Sequence, residues 1–331
     1  MSHVIVGTGH YLPEWTLTND ELEAMGVGYD RARSGGKSLD QWAIERTGVR
    51  LRHRIRPGEG TSDMALQAAE RALADAGIRA DDVGVIALST YTSDYLSPNT
   101  ANLLTSALGV KCKAFQVDAA CTGFVEATIT GAALQHFMDV EYALVLASDA
   151  FSTHCAPKDF MAQSLFGDGA GAVVLKNMPG SPYGLKAHTV GSDGARGKVL
   201  WIPGGGTKEP VTIESVQAGR QYAQWMHKEV YAFAVEKVAE SSRIVAERAG
   251  WSLDEVRWFV CHQAGRNIIL DAAKLLGQPQ EKFVVNIDHV GNTSGPSIPI
   301  ALDEINRAGK LRDGDKLIMP AMGAGLAWGA L

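Results

Sequence analysis

Cys121 follows a short apolar run, Phe115-Gln116-Val117, through the small residues Ala119 and Ala120, and a helix-like segment begins near Phe124. A thiol so placed sits at a helix N-terminus. The unsatisfied N–H groups there favour thiolate over thiol and make the sulfur a usable nucleophile at neutral pH. Ala119, Ala120 and Gly123 leave room for a substrate carbonyl to approach the backbone, where the N–H of Cys121 can hold a developing oxyanion. The same residues fit a plainer role, because an unpaired cysteine among alanines is also a good packing residue. Three further features carry chemistry. His262 ends the apolar run Phe259-Val260-Cys261, Asn292 lies in the turn Gly291 to Gly295, and Gly323-Ala324-Gly325 follows the last long apolar run. A histidine at a strand end is as compatible with structure as with catalysis until something places it opposite the thiol.

An internal repeat supplies that placement. Ala74 to Ala87 matches Glu247 to Val260 when Ala76 is set on Ala249, an offset of 173 residues. Both segments read as a helix, an Ala-Gly stop, an acidic turn and an apolar strand. Without a gap, the same offset sets Cys121 on Ser294 and the strand Ala143–Ala147 on Lys316–Pro320. The chain therefore reads as two duplicated α/β halves, 1–176 and 220–331, each with a mixed sheet covered by helices. Strand ends of two such halves converge near a pseudo-twofold axis. Thiol, imidazole, carboxamide and a glycine-rich turn are then offered to one cleft.

Composition fits a soluble globular protein and excludes several other classes. The 331 residues are 46% hydrophobic, enough to bury a sizeable core. A net charge of −6 argues against nucleic acid as a partner. No apolar run approaches spanning length, and Met1-Ser2-His3-Val4-Ile5 leads straight into strand-like sequence, so a cytoplasmic location without membrane attachment is expected. Cys112, Cys121, Cys155 and Cys261 show no CxxC pair, which predicts neither a disulfide framework nor a metal site.

Between the halves, residues 177–219 are rich in Gly, Pro and polar side chains and read as a connection. Gly204-Gly205-Gly206 lacks the Lys-Ser/Thr of a phosphate-binding loop. The cluster Gly167-Asp168-Gly169-Ala170-Gly171 precedes a strand instead of following one, the wrong order for a dinucleotide fingerprint.

Several motifs together resemble the thiolase superfamily, and within it beta-ketoacyl-acyl-carrier-protein synthase III, over essentially the whole length. They are Gly7-Thr8-Gly9 with Tyr11-Leu12-Pro13, Trp42 to Arg50, Asp118 to Phe124, Phe166 to Ala172, His262-Gln263-Ala264, Gly291 to Ser294, and Gly323 to Ala330. The resemblance implies a five-layered fold and a homodimer in which a loop around Tyr95 and Leu96 reaches the partner's acyl pocket. It implies that Cys121 takes an acyl group from acyl-CoA, with the N–H groups of Cys121 and Ala324 forming the oxyanion hole. His262 and Asn292 would stabilise the enolate formed when malonyl-CoA or a malonyl carrier protein loses carbon dioxide, with no cofactor. Phe166 would shield the acyl pocket.

The chain also departs from that family's pattern. Gly265 stands where the His-Gln-Ala motif is usually followed by Asn. Phe160 stands where an Arg is often found opposite Trp42, so a nucleotide base would stack between two rings, with Arg46 as a phosphate contact. The polar stretch 26–37 reads as a solvated insertion near the tunnel mouth. Two alternatives remain: an acyltransferase that uses Cys121 without decarboxylation, and a non-catalytic partner subunit.

Overall fold

Val83–Ser89 is apolar on both sides of the strand, and the computed structural model, which describes residues 2–331, shows why. Val85 and Ala87 point to the centre of the molecule, whereas Ile86 and Leu88 point outward beneath a second helical layer. Period-two burial on both faces is the mark of a sheet covered by helices on each side. The sheet runs in the order His3–Tyr11, Gly169–Asn177, Tyr142–Asp149, Val83–Ser89, Lys113–Val117. The last three are parallel, and Gly169–Asn177 is antiparallel to both its neighbours.

The same order recurs in the second half as shorter ladders. Thr189–Ser192 pairs antiparallel with Ala327–Ala330, which pairs antiparallel with Pro320–Gly323. One residue earlier Leu317–Ile318 runs parallel to Trp258–Phe259, and Phe259 bridges Phe283 in parallel. The Ala-Gly stops of the repeat are left-handed helix ends in both copies: Thr61–Ala76 closes on Gly77 (φ 66°) and His227–Ala249 on Gly250 (φ 71°). One boundary differs from the sequence reading. The segment 177–219 is more than a connection, because Thr189–Ser192 is the edge strand of the second sheet, where it takes the place His3–Tyr11 has in the first. We accordingly propose that the second half begins with this strand instead of at residue 220. The sequence did not show it because a four-residue edge strand among glycines carries little periodic signal.

Helices complete five layers. Phe124, Val125 and Ala127 of the Gly123–Phe137 helix and Ile298, Ala301 and Leu302 of the Ser297–Arg307 helix pack between the two sheets. Thr61–Ala76 and Thr100–Leu108 cover the outer face of the first sheet, and His227–Ala249 and Arg266–Leu276 that of the second. The two central helices begin at Gly123 and Ser297, just after Cys121 and Ser294, so the duplication aims both turns at the same point. Among the described residues, no helix is long and apolar enough to cross a membrane.

Candidate active site

The strand Lys113–Val117 hands the chain to the Gly123–Phe137 helix through a tight elbow. Ala120 is left-handed there at φ 44°, and Ala120–Thr122 forms a single 3-10 turn. A non-glycine residue in that region costs roughly 1 kcal/mol, which the surrounding packing must offset. Gly123 enters the helix so close to the first sheet that a Cβ would lie 1.8 Å from Ser89 Oγ. Across the axis, a Cβ on Gly323 would lie 2.7 Å from Cys121 Cβ and 3.1 Å from its backbone nitrogen. The glycine-rich turn thus presses directly on the nucleophile, and Ala324 follows it in the chain.

Cys121, His262 and Asn292 open onto one cavity of about 630 Å³, with Trp42, Arg46, Phe166 and Gly265 also in its wall. A separate cavity of about 410 Å³ is lined by Lys186, Arg312 and Lys316 but contains no thiol, so the chemistry belongs to the first. Asn292 is held by its backbone, which donates to Leu165 O (2.9 Å) and accepts from Gly167 N (3.0 Å). Its side-chain Oδ1 accepts from the N–H of Ser294 at 2.8 Å. That contact fixes the orientation of the carboxamide and leaves Nδ2 as the free donor. His262 is 2% exposed, and its Nδ1 lies 2.6 Å from Ser297 Oγ. Ser297 also accepts from the N–H of Gln263 and lies 2.8 Å from the carbonyl of Ser294. The single Ser297 proton serves either the Ser294 carbonyl or His262 Nδ1; in the second case the ring carries its proton on Nε2, the tautomer that can donate into the cavity.

Burial sets both charge states. Cys121 keeps some exposure to the cavity, yet the protein packed around it pushes the thiol from its ordinary 9.0 up to about 12; contact with Ser294 offsets only part of this. The helix N-terminus was expected to favour thiolate. Such a terminus is worth at most ~2 kcal/mol, or about one and a half pKa units at ~1.4 kcal/mol each, less than the burial shift. The resting nucleophile is therefore a thiol. Burial also pushes His262 down to about 4, so its imidazole is neutral at physiological pH. The His262 ring should then show no titration by NMR as pH falls from 8 to about 5, where an ordinary histidine, near 6.5, would already have protonated. A His262 signal that titrates near 6.5 would contradict this reading.

The expected substrate-binding residues divide. Phe160 does not line the cavity. Its ring packs edge-on to Trp42 at 5.1 Å and 75°, and to Tyr29 at 5.1 Å and 66°. No slot remains between Trp42 and Phe160 for a base, so the stacking expected of Phe160 is not supported by this geometry. The stretch 26–37 is likewise more than a solvated loop. Val27 is 3% exposed, and Tyr29 joins the aromatic cluster. Arg46 is exposed at the cavity wall and belongs to no salt bridge among the described residues. Phe166 is buried against Phe151 (4.0 Å between centroids) and bridges Asn292, a position that suits shielding. Leu96 is fully exposed and does not line this chain's own cavity.

The sequence reading assigned no role to three residues of the site: Ser294 at the nucleophile, Ser297 at His262 and Asp149 behind the Cys121 turn. Ser294 Oγ lies 3.4 Å from Cys121 Sγ, so the residue that the repeat sets on Cys121 meets it in space. Ser297 begins the helix that matches the nucleophile's own helix, and Asp149 ends the strand that carries the apolar run Ala143–Ala147. An acid closing the strand whose stretch Ala143–Ala147 is wholly apolar was a signal available in the sequence.

Residues 115–194 match the family 3-oxoacyl-[acyl-carrier-protein] synthase III, and residues 246–331 match its C-terminal domain. Beta-ketoacyl-[acyl-carrier-protein] synthase III of Rhodopirellula baltica is 38% identical, over 98% of this chain and 96% of its own. The chain belongs to the beta-ketoacyl-acyl-carrier-protein synthase III family. The crystal structure of the synthase III of Pseudomonas aeruginosa PAO1 is similar with a TM-score of 0.88 and 38% identity, covering 100% of this chain and 97% of that one. The priming beta-ketosynthase of the R1128 polyketide pathway is similar with a TM-score of 0.88 and 27% identity, covering 99% and 94%. The five-layered fold is thus that of a synthase III, and the protein is an acyl-transferring enzyme of the class that starts fatty-acid or polyketide chains. A non-catalytic role is set aside.

Proposed function

We propose that Cys121 accepts an acyl group from acyl-CoA and that the acyl-enzyme condenses with a malonyl thioester, carried by CoA or by a carrier protein. The convergence of thiol, neutral imidazole and oriented carboxamide on one cavity carries this reading. Sγ attacks the thioester carbonyl while the N–H groups of Cys121 and Ala324 receive the oxyanion. The malonyl thioester then enters with its carbonyl between His262 Nε2 and Asn292 Nδ2. Loss of carbon dioxide leaves an electron pair on the α-carbon, and both donors stabilise the resulting enolate. The donors suit the step because they are neutral: a carboxylate there would repel the enolate. The malonyl carboxylate itself supplies the electron pair, so the chemistry calls for no redox or carbanion-stabilising cofactor.

A homodimer fits the surface. Tyr95 and Leu96 are 62% and 102% exposed on one loop, apolar side chains that a second copy would cover and whose reach toward its acyl pocket the fold family favours. Carbon dioxide release decides between condensation and simple transfer. The wild-type enzyme should release it from malonyl-CoA or malonyl carrier protein in an amount equal to the ketoacyl product. Acyl transfer to an acceptor with no release from either would establish the non-decarboxylating reading instead.

Gly265 tests the departure beside His262. Its backbone is extended, and a Cβ would meet only Ile268 Cδ1 at 3.6 Å and Cγ1 at 3.9 Å, so a side chain fits without strain. Gly265→Asn should fold with a melting temperature within a few degrees of wild type, since a well-accommodated substitution changes stability by about 0.5 kcal/mol. It should alter the condensation rate or the preferred malonyl carrier while leaving acylation of Cys121 largely intact. Unchanged kinetics with every carrier would make Gly265 neutral variation.

A further inference from the structure

Trp225 stands in the wall of the Cys121 cavity, and the reaction above gives it no role. The Gln224–Trp225 strand pairs antiparallel with Leu200–Trp201 and leads straight into the His227–Ala249 helix. The backbone is pinned on both sides of the ring: Ala223 N donates to His154 O and Met226 N to Val199 O, each at 2.9 Å. The ring is held as well. It packs edge-on to Phe166 at 5.6 Å and 86°, and to His227 at 4.9 Å and 74°, and its Nε1–H donates to His227 Nδ1. An indole N–H can only donate, so Nδ1 is the acceptor and the neutral imidazole carries its proton on Nε2. Partial burial holds the His227 pKa below its ordinary value, against the pull of Asp159, and this keeps the acceptor in place at neutral pH.

Phe166 is buried and bridges Asn292, whereas His227 is exposed at the cavity mouth. The indole therefore spans the wall from the reacting groups toward solvent. The space behind it is filled. Phe151, Ala223 and Ile202 pack against Trp225 and Phe166 without lining the cavity, and Phe151 meets Phe166 at 4.0 Å. A cavity of about 630 Å³ takes roughly one drug-sized ligand. The pantetheine arm of CoA, entering past the exposed Arg46 and Lys228, must occupy much of that volume to bring its thioester to Cys121.

We propose that Trp225, with His227 as its positioning partner, limits Cys121 to short acyl groups of acetyl to butyryl size. This rests on the catalytic reading of Cys121 and adds the substrate class. In acylation the Sγ–C bond forms, the C–S bond of CoA breaks, and the thiol proton leaves with the CoA sulfur. The acyl carbons beyond the carbonyl must then fit the space that the rings of Trp225 and Phe166 leave. Such a wall discriminates steeply, by about 10- to 200-fold for one methylene too many, because rings held in place do not yield without strain.

The test is the acyl-length profile of the acyl-enzyme. Enzyme is mixed with acetyl-, butyryl-, octanoyl- or dodecanoyl-CoA without a malonyl thioester, and the rate of adduct formation is read by intact mass. Wild type should be acylated by acetyl- and butyryl-CoA, and on the order of 10²-fold more slowly by the two longer esters. Trp225→Ala should raise the ratio of octanoyl to acetyl rates by at least about 10-fold. Loss of a large packed ring also lowers the melting temperature, so Trp225→Phe, which keeps an aromatic contact with Phe166, is the second variant and should raise the ratio by a smaller factor. His227→Leu removes the acceptor of the indole N–H and should shift the ratio in the same direction. His227→Asn, whose carboxamide oxygen can accept that N–H, should bring it back toward wild type, a rescue that a merely structural histidine would not give. Dodecanoyl-CoA reacting with wild type as fast as acetyl-CoA, or a wild-type ratio in the folded Trp225 variants, overturns the length limit and leaves Cys121 as the nucleophile. Absence of an adduct with all four esters overturns the catalytic reading, and the length limit with it.

Discussion

Cys121→Ala should abolish the acyl-enzyme. Wild type exposed to acyl-CoA esters is expected to gain one acyl mass that maps to the peptide containing Cys121, and the variant none, with condensation falling on the order of 10⁴-fold or more. No other thiol can substitute. Cys155 and Cys261 are 3% and 0% exposed, and burial pushes both thiols far up. Cys112 is half-buried, raised by the same cause, and absent from the cavity wall. The substitution removes one sulfur that faces the cavity, so folding should survive with a loss of about 1 kcal/mol, which a thermal melt will check. An adduct that persists in the variant, or that maps to another cysteine, would remove the nucleophile assignment and the mechanism built on it.

Asn292→Ala should separate the two half-reactions. Removing one preorganised donor from a developing oxyanion costs about 3 kcal/mol, on the order of 10²- to 10³-fold in rate. The loss should appear in carbon dioxide release, because the enolate exists only in that step, while acylation of Cys121 should change by less than about 10-fold. Alanine also strips the N–H of Ser294 of its acceptor, which costs about 1–3 kcal/mol. Asn292→Asp provides the control. It keeps an oxygen for Ser294 but sets a negative charge against the enolate, so it should fold better than Asn292→Ala and decarboxylate no faster. Equal losses in acylation and decarboxylation in both variants would show Asn292 to be a general support of the site instead of an enolate donor.

The sequence by itself determined where the reactive groups stand along the chain. The elbow at Cys121, the strand end at His262 and the turn at Asn292 are local features. Each is written in a few small residues next to an apolar run. The 173-residue repeat added the one long-range fact that local patterns cannot supply, and Cys121 and Ser294 do meet at 3.4 Å. Tertiary structure decided what those groups are. Thiol and imidazole are both neutral at rest because five layers of packing surround them, and burial is a property of the assembled fold that no single segment encodes. Proximity across the axis, not spacing in the chain, made Ser297 the partner of His262, tied Asn292 Oδ1 to the N–H of Ser294 and brought Asp149 behind the nucleophile. The filled space between Trp42 and Phe160 has the same origin. Tyr29 lies in a stretch with no periodicity, and only packing against rings supplied by two other segments revealed that it closes the cluster.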